Sequence, residues 1–514
     1  MAREAPIRDR SGRRRIDRAE TGMNWKNAAA KLDLRSLAFI DGKTVQADDG
    51  SLFDTINPAT GNLLTSVAAC GQRDADLAVA AARRVFEKGS WSRLAPAERG
   101  RRLIRFADLM EKHGDELALL ETLDVGKPIS DSLSVDVPLT VGCARWYGEA
   151  VDKIYDEIAP TKPGAIAMMR REPLGVVAAV VPWNFPLLMA MWKIAPVLAA
   201  GNSLILKPAE QSPLSALRIA ELAVEAGIPD GVFNVLPGLG PVAGRALGLH
   251  HDVDAITFTG STKVGRYFME YSGKSNLKRV SLECGGKSPN IILADAPDLD
   301  AAATAAAWGI FYNQGEVCNA GSRLVVEESV KDEVLEKVIA VARTIKVGDP
   351  LDAETQMGPI VDEGQMSRVI DYIAKGTDEG AKLVTGGKAL PGTKGYFVEP
   401  TIFDDVTNDM TIAQEEIFGP VLATISARDL GEAVKIGNDS VYGLAAAVWT
   451  ADIDKAFAAA RDLRAGVVWV NCFDHGDISS PFGGFKQSGF GRDKSLHALD
   501  KYVDIKTTWI NLAR

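Results

Sequence analysis

The segment "NQGEVCNAGS", Asn313 to Ser322, sets one cysteine, Cys318, between two glycines and a group of small polar residues. Glycine costs roughly 1 kcal/mol against alanine in a helix and asparagine favours turns, so the segment reads as a loop. A thiolate there can attack a carbonyl carbon, yet most free cysteines are small buried hydrophobes, and the choice depends on partners elsewhere in the chain. "LECGGKSPN" puts Glu283 at a strand end ahead of Gly285 and Gly286. Glycines allow close approach, so the carboxylate can serve as a general base; the competing reading is an ordinary surface glutamate. "VVPWNFP" presents Asn184 from a rigid loop beside Trp183, with an amide suited to an oxyanion or simply to a turn.

Two further segments suit a nucleotide. In "ITFTGSTKVG" a β-branched run ends at Gly260, and Ser261 leads to Gly265 at the start of a helix. The amides of such a turn and the Ser261 hydroxyl can receive a pyrophosphate, although the GxGxxG fingerprint is missing and an ordinary strand-to-helix turn fits equally. "LILKPAE" places Lys207 and Glu210 past another strand. An acidic residue there accepts the ribose hydroxyls of NAD and repels the extra phosphate of NADP; the alternative is a solvated charge pair.

These residues need a scaffold, and its pattern is an α/β one. From about residue 174, "GVVAAVV", "NSLILKP", "SALRIAELAVEAG", "VFNVLPG" and "AITFTGS" alternate apolar runs with amphipathic stretches, which predicts a parallel sheet with crossover helices. Ser212 as N-cap, Pro213 in the first helical position and Gly227 after the last turn bound one of those helices. A second α/β run starts near "SPNIILADAPDLDAAATAAAWGIF", where Asp298 or Asp300 caps an Ala-rich helix that leads toward Cys318. The terminal "ALDKYVDIKTTWINL" alternates like an exposed strand in need of an edge, which predicts a homo-oligomer.

Composition narrows the classes. The 514 residues exceed a single core and suggest several domains. Acidic residues outnumber basic ones, 68 to 58, so the chain carries no basic footprint for nucleic acid. The five cysteines are scattered and odd in number, which points to a reducing, cytoplasmic setting, and none pairs with histidine at zinc spacing, so no metal is expected. The longest apolar candidate for a membrane span is broken by Pro182, Asn184 and Pro186, so no membrane association is expected. Residues 1–23 mix arginines with acidic residues and read as a disordered tail, or as sequence upstream of a start at Met23.

Taken together, "PWNFP", "KPAE", "FTGSTKVG", "LECGGKSPN", "GEVCNAGSR", "QEEIFGP" and "PFGGFKQSGFGRD" occur in the order found in the NAD(P)-dependent aldehyde dehydrogenase superfamily, which the chain resembles from about residue 35 to its end. The resemblance implies an aldehyde dehydrogenase-like fold: a Rossmann-type cofactor domain over 24–150 and 174–285, an α/β catalytic domain over 286–486, and a β bridging element over 151–173 and 487–514 that builds a dimer or tetramer. It implies Cys318 as nucleophile, Glu283 as general base, the Asn184 amide with the Cys318 N–H as oxyanion hole, and Lys193 in proton relay. It also implies that Trp183, Lys207, Glu210, Gly260, Ser261, Gly265, Gly285, Glu416 and Phe418 hold NAD, with NADP as the alternative. Cys284 departs from the family's usual leucine and puts a second thiol near the site. "PISDSLSVDVPLTVGCARWYGEAVDKIYDE" and "GFGRDKSLHALDKYVDIKTTWI" resemble the branch that oxidises aminoaldehydes, including gamma-glutamyl-gamma-aminobutyraldehyde and 4-guanidinobutyraldehyde. By matched position Asp136, Leu139, Trp192, Val317, Asn319, Asp474, His475 and Asp477 line or rim the substrate funnel, where acidic groups suit a cationic tail. The competing readings are a general aliphatic or aromatic aldehyde dehydrogenase, a non-catalytic family member, and a cysteine hydrolase using His475 or His497.

Overall fold

A computed structural model describes residues 23–512, so the tail expected over 1–23 falls, apart from Met23, outside the described residues. Two large sheets and one small one organise the chain. The first has eight strands, and its five central strands are parallel: Arg279–Glu283, Ala255–Thr259, Val176–Val180, Ser203–Lys207 and Phe233–Val235 in spatial order. The chain starts in the middle of that set, so strand order reverses between Val176–Val180 and Ala255–Thr259, and the crevice past the strand ends at such a reversal is where α/β proteins take ligands. The middle three strands are buried throughout, which is why they read as unbroken apolar runs.

Register aligns the site-bearing ends of these strands. Val180 pairs with Lys207 on one side and with Phe258 on the other, and Thr259 pairs with Glu283. The helix Pro186–Ala200 begins directly after the Asn184 loop with proline in its first turn, where a missing N–H costs nothing. The helix expected to start at Ser212 instead runs Leu214–Glu225 without a side-chain cap of its own. Buried Asp124, brought in from a distant helix, accepts the Leu214 N–H at 2.9 Å and takes over the role assigned to Ser212. Asp298, not Asp300, caps the Ala-rich helix Leu299–Phe311 through the Ala301 N–H at 2.9 Å.

The second sheet has seven strands, of which Thr401–Asp404, Val421–Ala427, Arg323–Glu327, Pro289–Ile292, Ala445–Trp449 and Val467–Val470 are parallel, with Lys382–Thr385 antiparallel at one edge. The third sheet pairs Glu157–Ala159, Ala165–Pro173 and Val503–Asn511 antiparallel. Two expectations for the C-terminus need correction. Gly489–Phe490 joins the first sheet against Arg279–Glu283, so the bridging element begins later than 487. Residues Leu496–Lys501 form a 3-10 turn, not strand, because Ser495 caps it and Ala498 and Leu499 pack into the main core. No described helix is long and apolar enough to cross a membrane.

Candidate active site

The two large sheets meet where the first ends and the second begins. Glu283 closes its strand, and the next few residues, Gly285 and Gly286, lead straight into Pro289–Ile292 of the second sheet. A Cβ at Gly286 would lie 2.6 Å from the Cys318 carbonyl oxygen, so glycine lets these two backbones touch, and one at Gly285 would displace the Glu416 carboxylate. Cys318 lies on the approach to Arg323–Glu327, and Glu416 and Phe418 on the approach to Val421–Ala427.

The cysteine segment is a loop, as its composition predicts, and it is tightly packed. Asn313 and Gln314 are both left-handed, at φ 45° and 58°, and Gly315 follows at 72°. A left-handed turn is costly for residues with a Cβ and persists only when its surroundings hold it. Those surroundings are visible: Asn313 Nδ2 donates to the Asn184 and Glu316 carbonyls at 3.1 and 3.2 Å, and Gly358 N–H donates to Gln314 Oε1 at 3.2 Å. Asn184 is buried, and its Nδ2 donates to the Glu316 carbonyl at 2.9 Å, two residues before Cys318. An amide nitrogen carries two protons, so one remains for an incoming oxygen.

The titratable groups share a dry setting. Burial pushes the Cys318 thiol up, and the nearby Glu416, Glu283 and Asp474 carboxylates push it further. Glu283 is 5% exposed and neither of its oxygens has a hydrogen-bond partner. Burial, reinforced by the Asp493 charge, holds its carboxyl well above the usual range against the opposing pull of Lys193, Lys501 and Arg492. Lys193 is buried on Pro186–Ala200 and pairs with Asp493, which Lys501 also binds. Despite burial, those two lysines keep the Asp493 carboxyl below its usual range. The motif "GFGRD" contains Asp493, but its role shows only when Lys193, 300 residues earlier, is seen beside it.

Several of the residues expected to hold a nucleotide lie at or just past neighbouring strand ends. Ser261 caps the helix Thr262–Lys274, its hydroxyl accepting the Val264 N–H at 3.3 Å, so the oxygen is engaged and its proton remains available. A Cβ at Gly265 would sit 3.1 Å from the Cys284 sulfur, which accounts for that glycine by packing. Cys284 is therefore buried beneath this helix, and burial raises its thiol to about 12. Lys207 Nζ donates to the Pro208 carbonyl at 2.8 Å and to Glu210 at 3.1 Å, so the Glu210 charge is partly compensated. Burial lifts Glu416 to about 7 although it accepts the Gly286 N–H at 3.1 Å. Trp183 meets Phe418 edge-on at 5.2 Å, and Phe418 holds φ 60° because Gln365 Nε2 donates to its carbonyl and to that of Ile417. A helix N-terminus at the strand-order reversal, a lysine-glutamate pair and the Trp183–Phe418 aromatic pair fit a nicotinamide dinucleotide.

The funnel residues divide. Asn319 Nδ2 donates to Asp474 at 2.7 Å, and Asp474, His475 and Asp477 lie exposed in one loop. Leu139 is 52% exposed, whereas Asp136 is fully buried and ion-paired with Lys127 at 2.7 Å. Asp136 therefore presents no charge to a ligand; it balances Lys127, which stands 3.6 Å above the Phe185 ring. Sequence reasoning did not reach Lys127, Asn313, Gln365, Asp493 or Lys494, each of which meets at least one partner far away in the chain: Phe185, Asn184, Phe418, Lys193 and Trp192 respectively. His497 engages Ser495 at 3.1 Å, and the groups acting most strongly on Cys318 are carboxylates, which disfavours a Cys-His hydrolase.

Comparison with known proteins agrees with this geometry. Residues 44–508 match the Aldehyde dehydrogenase family, to which the chain belongs. It is 51% identical over 489 residues to the NADP/NAD-dependent aldehyde dehydrogenase PuuC of Escherichia coli K12, covering 95% of this chain and 98% of that protein. Among solved structures it matches the gamma-glutamyl-gamma-aminobutyraldehyde dehydrogenase of Burkholderia cenocepacia J2315 at TM-score 0.94 and 56% identity, covering 95% of this chain and 99% of that one. The indole-3-acetaldehyde dehydrogenase AldA of P. syringae, solved with NAD⁺, matches at TM-score 0.94 and 58% identity over the same shares. The chain is thus an aldehyde dehydrogenase that uses a nicotinamide dinucleotide.

Proposed function

We propose that the protein oxidises aldehydes of about four carbons bearing an amino, guanidino or gamma-glutamylamino group to the acids, with NAD⁺ preferred. The observation that carries the reading is the convergence of Cys318, Asn184 and Glu283 where the two sheets join, with the Asp474 carboxylate close enough to act on Cys318. The named activity of the Burkholderia relative supports the substrate class, while that of the P. syringae relative makes an aromatic aldehyde the reading to beat.

The Cys318 sulfur, once deprotonated, attacks the aldehyde carbon, and the second Asn184 N–H together with the Cys318 backbone N–H stabilises the oxyanion among buried side chains. Loss of hydride from that carbon, for which NAD⁺ would supply the acceptor when bound, leaves a thioester on Cys318. Glu283 then removes a proton from water, which attacks the thioester on Cys318 and releases the carboxylic acid. Burial raises the Glu283 carboxyl and the Asp493 charge raises it further, while Lys193, Lys501 and Arg492 pull it down, so that cluster tunes how readily Glu283 acts as a base. Lys207, Glu210, Gly260, Ser261 and Gly265 would hold the adenosine and pyrophosphate half, and Trp183, Gly285, Glu416 and Phe418 the nicotinamide half. Asp136 is withdrawn from the substrate contacts.

The strand Val503–Asn511 leaves Ile505 and Trp509 about two-thirds exposed, at 64% and 66%, on the outer edge of its sheet. Such an edge supports a homo-oligomer, dimer or tetramer, and the scattered free cysteines support a cytoplasmic location. The test is an aldehyde panel with NAD⁺ and NADP⁺, followed at the NADH band. A nitrogen-bearing butyraldehyde should exceed butyraldehyde and indole-3-acetaldehyde in kcat/KM; the reverse order rejects the substrate class, and a higher kcat/KM with NADP⁺ rejects the cofactor preference.

A further inference from the structure

The side chains around Asp474 are not purely acidic. Lys494 is half-buried near it, with its ammonium 5.6 Å from the centre of the Trp192 ring, and Trp192 leans on Phe482 at 5.3 Å. A Cβ on Gly476, in the loop that carries Asp474 and Asp477, would lie 3.2 Å from that same ammonium. The charges of Asp474 and Asp477 both act on Lys494, and Asp474 acts on the Cys318 thiol as well. Trp192 directly precedes Lys193 on the helix after Asn184, while Asn319 directly follows Cys318 and holds Asp474. Lys494, Trp192, Asp474 and Asn319 thus form one group of side chains beside the Cys318 loop.

The backbone is built to hold it there. Lys494 and Ser495 are left-handed at φ 62° and 51°, and Asp474 opposite them at 56°. A long side chain gains nothing locally from such a conformation, so its neighbours must impose it. On one side Asp493 is locked between Lys193 and Lys501. On the other, the Ser495 N–H donates to the Ile478 carbonyl at 2.7 Å and the Ser495 carbonyl accepts the Tyr147 hydroxyl at 2.8 Å.

We propose that Lys494 is a specificity-determining residue: its ammonium receives the distal carboxylate of a gamma-glutamylamino aldehyde, while the Asp474 and Asp477 loop receives the alpha-ammonium. The inference rests on the nitrogen-bearing aldehyde reading above and narrows it to a zwitterionic tail. A lone cation would meet Lys494 as a like charge, and discrimination between tails comes as much from that repulsion as from the attraction. Lys494 therefore has opposite effects on two members of the same substrate class.

The experiment compares wild type, Lys494→Met and Lys494→Arg on gamma-glutamyl-gamma-aminobutyraldehyde and 4-guanidinobutyraldehyde, each divided by butyraldehyde on the same preparation. With Lys494→Met the relative kcat/KM for the zwitterion should fall by about tenfold or more, chiefly through KM, while that for the guanidino aldehyde rises severalfold. Lys494→Arg should restore most of the zwitterion preference. A parallel fall on both tails, or no change on either, overturns the proposal and leaves Lys494 as a tie for the loop. If wild type prefers guanidinobutyraldehyde to the zwitterion, the proposal fails while the broader substrate class stands; if it prefers butyraldehyde to both, the class itself fails. Should Lys494→Met not fold, competitive inhibition of wild type by gamma-glutamyl-n-butylamide and by n-butylguanidine makes the same comparison. Stronger inhibition by the amide is expected, and stronger inhibition by the guanidine overturns the proposal.

Discussion

The two parallel sheets reach the site by opposite ends of their strands. The first contributes residues at or just past its C-terminal strand ends: Trp183 and Asn184 after Val176–Val180, Lys207 and Glu210 at Ser203–Lys207, Gly260 and Ser261 after Ala255–Thr259, and Glu283 as a last strand residue. The second contributes residues that precede its N-terminal strand ends: Gly286 before Pro289–Ile292, Cys318 before Arg323–Glu327, Glu416 and Phe418 before Val421–Ala427. C-terminal strand ends open onto helix N-termini, whose positive poles suit an anionic cofactor. Loops that enter strands have no such dipole to rely on and are aimed by local geometry instead, here the left-handed Asn313, Gln314 and Phe418. On the proposed roles, one sheet would be a binding edge and the other a positioning edge.

The sharpest way to break that division is to remove the nucleophile. Cys318→Ala should lower NADH formation by about 10⁴-fold or more while NAD⁺ affinity, read by calorimetry, stays within a few-fold. Loss of both together would mean that the sheets are not separable in function. Glu283→Gln should slow deacylation by about 10²- to 10⁴-fold and leave a pre-steady-state burst of NADH with a trapped acyl-enzyme mass. In the wild type the same step should speed up as pH rises through the elevated Glu283 pKa, because only the deprotonated form is a base, and the variant should lose this limb.

Asp493→Asn sharpens the comparison at the seam. It leaves Lys193 and Lys501 without their shared buried counter-ion, which should cost roughly 3 to 5 kcal/mol in denaturant unfolding. It also removes a negative charge that raises Glu283, so the pH–rate limb should move to lower pH; a limb that stays put would take Asp493 out of the base's environment. Glu210→Gln should raise NADP⁺ use relative to NAD⁺ by a few-fold, since one of the charges facing a 2′-phosphate is gone.

The smallest effect concerns Glu316. Burial holds its carboxyl well above the usual range, so the stability it contributes is full below the unfolded value and is lost as pH rises. Glu316→Gln keeps an acceptor for the Val361 N–H, now met at 3.1 Å, and cannot ionise. Its Tm should exceed that of wild type by about 1 to 3 °C at pH 8 and converge on it near pH 5; a lower Tm at pH 8 would show that the Lys127 charge stabilises ionised Glu316 more than burial opposes it.

How much is legible in the sequence obeys the same division. The buried parallel strands of the first sheet announce themselves as apolar runs, and the residues just past them stand out because a strand ends there. Local composition marks Cys318, Glu283 and Asn184 only as candidates beside ordinary readings, and the family resemblance implies their roles. The left-handed turn at Asn313 and Gln314 is not marked at all, since neither residue type requires it and only the Asn184, Glu316 and Gly358 contacts hold it. Asp136 is misplaced by sequence because an aspartate in a polar stretch looks solvated until Lys127 is seen against it at 2.7 Å. Ser212 looks like a cap, but Asp124, far off in sequence, fills that role.

The stitching of the last residues into the first sheet bears on how the chain matures during synthesis. Lys193 waits for Asp493, Asn202 Nδ2 donates to the Tyr502 carbonyl at 2.9 Å, and the Tyr502 hydroxyl donates to Thr257 at 3.1 Å, each pair separated by some 245 to 300 residues. A ribosome-bound chain that already contains every strand of the cofactor edge still carries Lys193 as an uncompensated buried charge and lacks the neighbours that set the base. Domains tend to fold as units in the order of their emergence, but here the N-terminal half cannot reach its final form until the C-terminus has left the exit tunnel. Nascent chains stalled before residue 493 should therefore resist proteolysis far less than the released protein, however complete their sheets.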